Sequence, residues 1–166
     1  MSLERKSKPL SLDNIQEMWT KDAIINQDEL DTESLKVPQL HAKYYGLYNT
    51  ILLMRKQNEQ IDSSLLLERR KFYTGKATAD VYEAEPFPYK VRDKDDLKLY
   101  LESDEKLSKT RLKIEYFDSM LKYLEEILRQ VSNRSYQIKN AIEWRRFTSG
   151  YGWFIDQEEE RSISGS

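Results

Sequence analysis

"LSKTRLKIEYFDSMLKYLEEILRQVSNRSYQIKNAI", Leu107–Ile142, decides the fold. Leu107, Ile114, Phe117, Leu121, Leu124, Leu128, Val131, Ile138 and Ile142 recur in steps of three and four, or sums of them. Thr110 and Ser135 occupy the remaining positions of the beat. A 3.5-residue period held over more than four heptads belongs to a helix packed lengthwise against another helix. The same beat runs through Leu40, Tyr44, Leu47, Ile51, Met54, Asn58, Ile61, Leu65, Glu68 and Phe72. Two long coiled-coil-like helices are therefore predicted, and polar residues in their seams (Asn58, Glu68, Thr110, Ser135) are expected to set register or oligomer size. The second helix also carries Met120, Ile127 and Ala141 beside its seam, and Tyr136, Trp144 and Phe147 near the opposite face. One partner helix cannot cover all of these. Self-assembly is expected, with Ile114, Phe117, Leu121, Leu124, Leu128, Val131, Ile138 and Ile142 as the oligomerisation seam.

Outward from this pair, Ser11 is placed to cap a short amphipathic helix bearing Leu12, Ile15, Met18 and Trp19. Residues 21–39 read as a connector with a brief turn, with Pro38 in the first turn of the long helix that follows. Gly75 and Gly150 are natural stops for the two long helices. Between the helices, Glu85 and Phe87 precede prolines, which predicts extended chain, and Asp93–Leu101 predicts a short helix with an acid-rich first turn. The organisation expected is a flexible segment 1–10, an all-α domain 11–150 and a disordered tail 151–166.

The 166 residues include 34% charged and 39% hydrophobic side chains, five glycines and no cysteine. That composition fits long helices with wet faces, not disordered chain, and the lack of thiols suits a reducing cytoplasm. No apolar run approaches a membrane span, and no signal peptide is recognisable. The net charge of -2 conceals segregation: residues 106–146 carry 10 cations and 5 anions, whereas residues 1–35 carry 4 and 8 and residues 93–105 carry 2 and 6. Cations concentrated in the long helices point toward a polyanionic partner. One histidine, no metal-ligand spacing and no phosphate-cradling glycine loop leave no catalytic, metal or cofactor site to name, so the chain is expected not to be an enzyme.

Two basic-aromatic helix ends carry what function the sequence suggests. In "RRKFYTGK", Arg69–Lys76, Arg69 and Tyr73 share a helix face, Lys76 lies one turn further on, and Arg70 and Lys71 fan outward. Cations beside exposed rings suit single-stranded nucleic acid: the cations neutralise phosphates and the rings stack unpaired bases. The alternative is a solvated helix end whose cations answer the helix dipole. In "NRSYQIKNAIEWRRFTSG", Asn133–Gly150, Arg134 and Arg145 flank one side of the seam and Lys139 and Arg146 the other. They are placed equally for interhelical ion pairs and for phosphate contact.

Three stretches, in order and correctly separated, resemble the UvsY-type recombination mediators of large tailed phages. They are "LDNIQEMWTKDAIINQDEL" with its Leu-x-x-Ile-Gln-Glu start, "FYTG" in place of Tyr-Tyr-Ser-Gly, and the ungapped set Arg134, Tyr136, Ile138, Lys139, Arg145, Phe147 and Gly150. The resemblance spans about residues 11–150. It implies a ring-shaped helical homo-oligomer, a hexamer or heptamer, in the cytoplasm of the infected bacterial host. Such proteins bind single-stranded DNA, loosen the phage single-strand-binding protein from it and help a RecA-like recombinase of the UvsX type to load. On this resemblance Arg69 occupies a DNA-contacting position, a second cation two residues earlier is replaced by Leu67, and Arg70 and Lys71 are placed to substitute. The DNA-binding set expected is thus Arg69, Arg70, Lys71, Tyr73, Lys76, Arg134, Lys139, Arg145 and Arg146. The competing expectation is a structural or protein-binding coiled-coil adaptor without DNA affinity.

Overall fold

Ser11 opens the first helix of the computed structural model, its hydroxyl accepting the Asn14 N–H at 3.3 Å. The structure describes residues 10–150, so the expectations for residues 1–9 and for the tail 151–166 lie outside the described residues. Five helices follow one another: α1 Leu12–Asp22, α2 Leu30–Tyr73, α3 Ala79–Ala84, α4 Lys94–Glu102 and α5 Glu105–Thr148. Among the described residues there is no strand, and no helix is long and apolar enough to cross a membrane. The all-α architecture with two long helices and a short N-terminal one is as the periodicity predicts. The chain divides into two compact units, Leu47–Tyr123 and the described residues on either side of it.

In the unit formed by the flanking residues, α1, the start of α2 and the end of α5 bury Ile15, Leu30, Tyr44, Leu124, Ile127, Val131 and Ile138. Here α2 begins at Leu30, so the predicted connector 21–39 shrinks to residues 23–29 and Pro38 sits inside the helix, not in its first turn. The reason is tertiary. Glu33 is buried and its carboxylate pairs with Arg134 at 2.6 Å, while Leu30 enters the core; these contacts hold helix ahead of a residue that lacks an N–H. At the far end of α1, the Asp22 carboxylate receives Lys43 and the Tyr44 hydroxyl at 2.5 and 2.8 Å, and Trp19 meets the Tyr44 ring edge-on.

In the unit Leu47–Tyr123, α2 runs antiparallel to α5. Arg55 pairs with Asp118, Asp62 with Arg111 and Arg69 with Asp104, so each step of seven along α2 is a step of seven back along α5. The buried line Ile51, Asn58 and Phe72 keeps its heptad beat, with half-buried Leu65 between. The second line of the predicted seam shifts by one residue: Ile61 and Glu68 are exposed, and Asp62 and Arg69 face the partner helix. An apolar pattern cannot register a line whose side chains are charged. Ser135 is exposed for the same reason, its place inside being taken by Arg134. Buried Asn58 donates to the Met54 carbonyl of its own helix at 2.8 Å.

Gly75 ends α2 as predicted. At φ 74° its N–H reaches the Phe72 carbonyl while the Lys76 N–H reaches that of Lys71, the double bond of a Schellman cap. Asp93 caps α4, accepting the Asp95 and Asp96 N–H groups at 2.9 Å each.

Candidate nucleic-acid interface

The tip of α2 is built around Arg69, which is 3% exposed. Its Nε bonds Asp104 at 2.5 Å, its two terminal nitrogens hold both oxygens of Glu85 at 2.7 and 3.1 Å, and its guanidinium lies over the Phe72 ring at 4.2 Å. The Tyr73 hydroxyl completes the cage by donating to Asp104 at 2.7 Å. Asp104 is itself the N-terminal cap of α5, its other oxygen accepting the Leu107 N–H at 3.0 Å. Lys106 closes on Glu85 at 2.9 Å. Burial pushes the Asp104 carboxyl up, but the Leu107 N–H, the Tyr73 hydroxyl and Arg69 outweigh it and hold the group below the ordinary carboxylate range. Hydrogen bonds from Arg69 and then Lys106 lower Glu85 likewise, and burial beside Asp104 raises the Tyr73 hydroxyl. With a further bond to the Tyr73 hydroxyl at 3.3 Å, four of the five guanidinium N–H donors are engaged inside the subunit, and the buried group presents little surface to a phosphate.

The outward residues of the same octet are placed differently. Arg70, Lys71 and Lys76 are exposed, and none of the ion pairs among the described residues engages them. Next to them six rings interlock. Phe72 stacks on Tyr82 at 5.3 Å, Tyr73 stacks on Tyr100 at 5.4 Å, and Phe87 meets Tyr100 and Tyr89 edge-on at 5.2 and 5.8 Å. Four of these rings, Tyr82, Phe87, Tyr89 and Tyr100, are not among the predicted site residues, and Tyr100 falls in the predicted short helix Asp93–Leu101. The signal available was Glu-Pro-Phe-Pro-Tyr, Glu85–Tyr89, where two prolines hold extended chain with a ring after each.

The second predicted cluster is divided between inward and outward residues. Arg134 is buried, donating to the carbonyls of Asp22, Ala23 and Ile24 at 2.9 to 3.2 Å as well as to Glu33, so it caps the C-terminus of α1. Lys139, Arg145 and Arg146 are exposed; Lys139 approaches Glu143 at 3.8 Å and Arg145 approaches Asp28 at 3.7 Å. Arg69 and Arg134, read as DNA contacts, are thus internal ion-pair residues, because a buried carboxylate faces each of them. The predicted oligomerisation seam is likewise internal. Phe117, Leu121, Leu124, Val131 and Ile138 are buried within the subunit, and Ile114, Leu128 and Ile142 are half-buried. Among the described residues no group of three or more His, Cys, Asp or Glu could hold a metal ion.

Residues 18–151 match the family described as "Recombination, repair and ssDNA binding protein UvsY". The chain belongs to the UvsY family. The recombination protein uvsY of Enterobacteria phage T4 is 22% identical over 141 residues, which are 85% of this chain and 99% of that protein. Two crystal structures of the bacteriophage T4 recombination mediator protein UvsY share the fold. One has a TM-score of 0.75 at 23% identity over 85% of this chain, the other 0.70 at 21% over 84%, and each is covered to 99%. The UvsY match takes in both basic helix ends and the proline-flanked segment between them.

Proposed function

We propose that this UvsY-family chain is a non-catalytic recombination mediator that binds single-stranded DNA in the cytoplasm of a phage-infected bacterium. It weakens the single-strand-binding protein's hold on the strand and promotes loading of a RecA-like recombinase of the UvsX type. The observation that carries the reading is the tip of α2: three exposed cations, Arg70, Lys71 and Lys76, beside a platform of rings, in a chain whose family is described as single-stranded-DNA binding. Arg69 and Tyr73 set that platform from within, Arg134 ties α1 to α5 in the other unit, and Lys139, Arg145 and Arg146 offer a second outward set of cations. Phosphate neutralisation by such residues is independent of sequence and falls with salt.

Fluorescence anisotropy with a labelled oligonucleotide tests this. Arg70→Ala, Lys71→Ala and Lys76→Ala together are expected to weaken single-strand binding at least tenfold at low salt and to flatten its salt dependence, since each lost phosphate contact removes about 0.7 from the log–log slope. Binding and slope both left intact would reject the assignment. A second reading, a helical adaptor that binds only protein, draws support from Arg69 and Arg134 being committed to internal carboxylates. It expects no oligonucleotide affinity from the unaltered protein in dilute buffer.

A further inference from the structure

Beside the exposed cations of α2 lies a cleft of about 700 Å³, within the unit Leu47–Tyr123. Its walls are the rings of Tyr73, Tyr82, Phe87 and Tyr89. Three of these rings are fixed. The Tyr82 hydroxyl donates to the Phe72 carbonyl at 2.6 Å, Tyr73 is bonded to Asp104, and Phe87 wedges against Tyr73 at 5.1 Å. Tyr89 differs, being 67% exposed and meeting Phe87 alone among the ring pairs of the described residues. Lys90, Arg92 and Lys94 also line the cleft and are exposed. Asp93 is the one acid in the lining, and its Oδ1 accepts the N–H groups of both Asp95 and Asp96. Asp96 in turn accepts the Arg92 N–H at 3.1 Å, which ties Arg92 to the start of α4.

Fixed rings, one unencumbered ring and an excess of cations suit a ligand that is flat, uncharged at its face and anionic along its edge. We infer that this cleft accepts one unstacked base of a single DNA strand against Tyr89, with Lys90, Arg92 and Lys94 holding the phosphates on either side. The inference rests on the single-strand-binding reading and assigns that activity a site distinct from the Arg69–Lys76 cations. Stacking of this kind tolerates any base, because every base presents a π-face. It would also kink the strand locally, since the captured base leaves the stack of its neighbours.

The test uses the full chain and a 12-residue oligonucleotide carrying a single 2-aminopurine, whose emission falls when it stacks. The unaltered protein is expected to bind and to change that emission. Tyr89→Ala should weaken binding at least about fivefold and abolish the emission change, and Tyr89→Trp should restore both. The double variant Lys90→Gln, Arg92→Gln should weaken binding and flatten its salt dependence while keeping the emission change at saturation. Tyr89 is largely exposed, so far-UV circular dichroism of these variants should match the parent. Parent-like affinity and emission from Tyr89→Ala would overturn the inference and leave the cleft to another partner, such as an aromatic side chain of a protein, with single-strand binding intact. No binding by the unaltered protein would reject the single-strand reading itself, and the base site with it.

Discussion

Arg69 illustrates how a cation that reads as a ligand contact becomes a structural one. Its sequence neighbours Arg70 and Lys71 are as basic, yet only Arg69 points at Asp104 and Glu85. Removing it leaves Asp104, 2% exposed at its side chain, as an uncompensated buried charge. Arg69→Met should therefore destabilise the fold by about 3–5 kcal/mol, read as a lower urea midpoint. Arg69→Lys should recover only part of the loss, because an ammonium cannot bridge two carboxylates as a planar fork does. The same cage sets a pH dependence. Asp104 and Glu85 are both lowered in the folded state, so their stabilising contribution is complete above the ordinary carboxylate range and is lost as pH falls through the folded values. Resistance to urea should fall steeply below about pH 4, and Asp104→Asn, which keeps a capping side chain, should blunt that acid limb. An acid limb unchanged in Asp104→Asn would place the sensitivity elsewhere, for example at Glu33 or Asp22, both also lowered.

At the scale of elements, the long helices were legible wherever apolar side chains keep a period, and illegible where charge or tertiary contact decides. Ile51, Phe72, Leu107, Phe117, Leu121 and Leu124 fall inside as their spacing demands. The line Arg55, Asp62, Arg69 was invisible because hydrophobicity was the only guide, although its sevenfold spacing of alternating charge was present in the sequence. The helix α3 was missed because six residues carry no period, and the ring platform because its members come from α2, α3, the proline-flanked segment and α4. The start of α2 was misplaced because a proline is a strong local signal for a helix's first turn, and the Glu33–Arg134 pair that extends the helix ahead of it lies about a hundred residues apart in sequence. This last point gives a prediction. Pro38 is exposed and interior to α2, where it forfeits the bond to the Ser34 carbonyl. Pro38→Ala should restore that bond and raise stability by about 2 kcal/mol, the helical gain of roughly 3 kcal/mol being offset by up to about 1 kcal/mol by a freer unfolded chain. A lower thermal midpoint for this variant would mean that a proline kink is built into the packing of Leu30 and Glu33.

At the scale of the whole molecule, the expected self-assembly would need apolar surface other than the seam, which is buried within the subunit. In the unit that contains the end of α5, Tyr136, Trp144 and Phe147 are 68%, 66% and 73% exposed, and Trp144 and Phe147 lie 5.9 Å apart. Large rings gathered on one helix end have no work inside a lone subunit, and covering them is worth far more than covering scattered leucines. Lys139, Arg145 and Arg146 occupy the same stretch of α5, so a contact made there would bring cations of several subunits together. Affinity for a long strand would then exceed that of one subunit by the effective concentration of its neighbours, without any new kind of contact. Trp144→Glu with Phe147→Glu is expected to lower the mass measured by light scattering while leaving far-UV circular dichroism unchanged. Binding should respond to oligonucleotide length: the variant should lose affinity for a strand long enough to span several subunits and keep it for a strand that occupies one. If mass falls but long-strand affinity holds, each subunit grips DNA alone and avidity plays no part. Should mass remain as in the parent, assembly uses other exposed apolar side chains, and Leu112 and Tyr116 of α5 are the next to change.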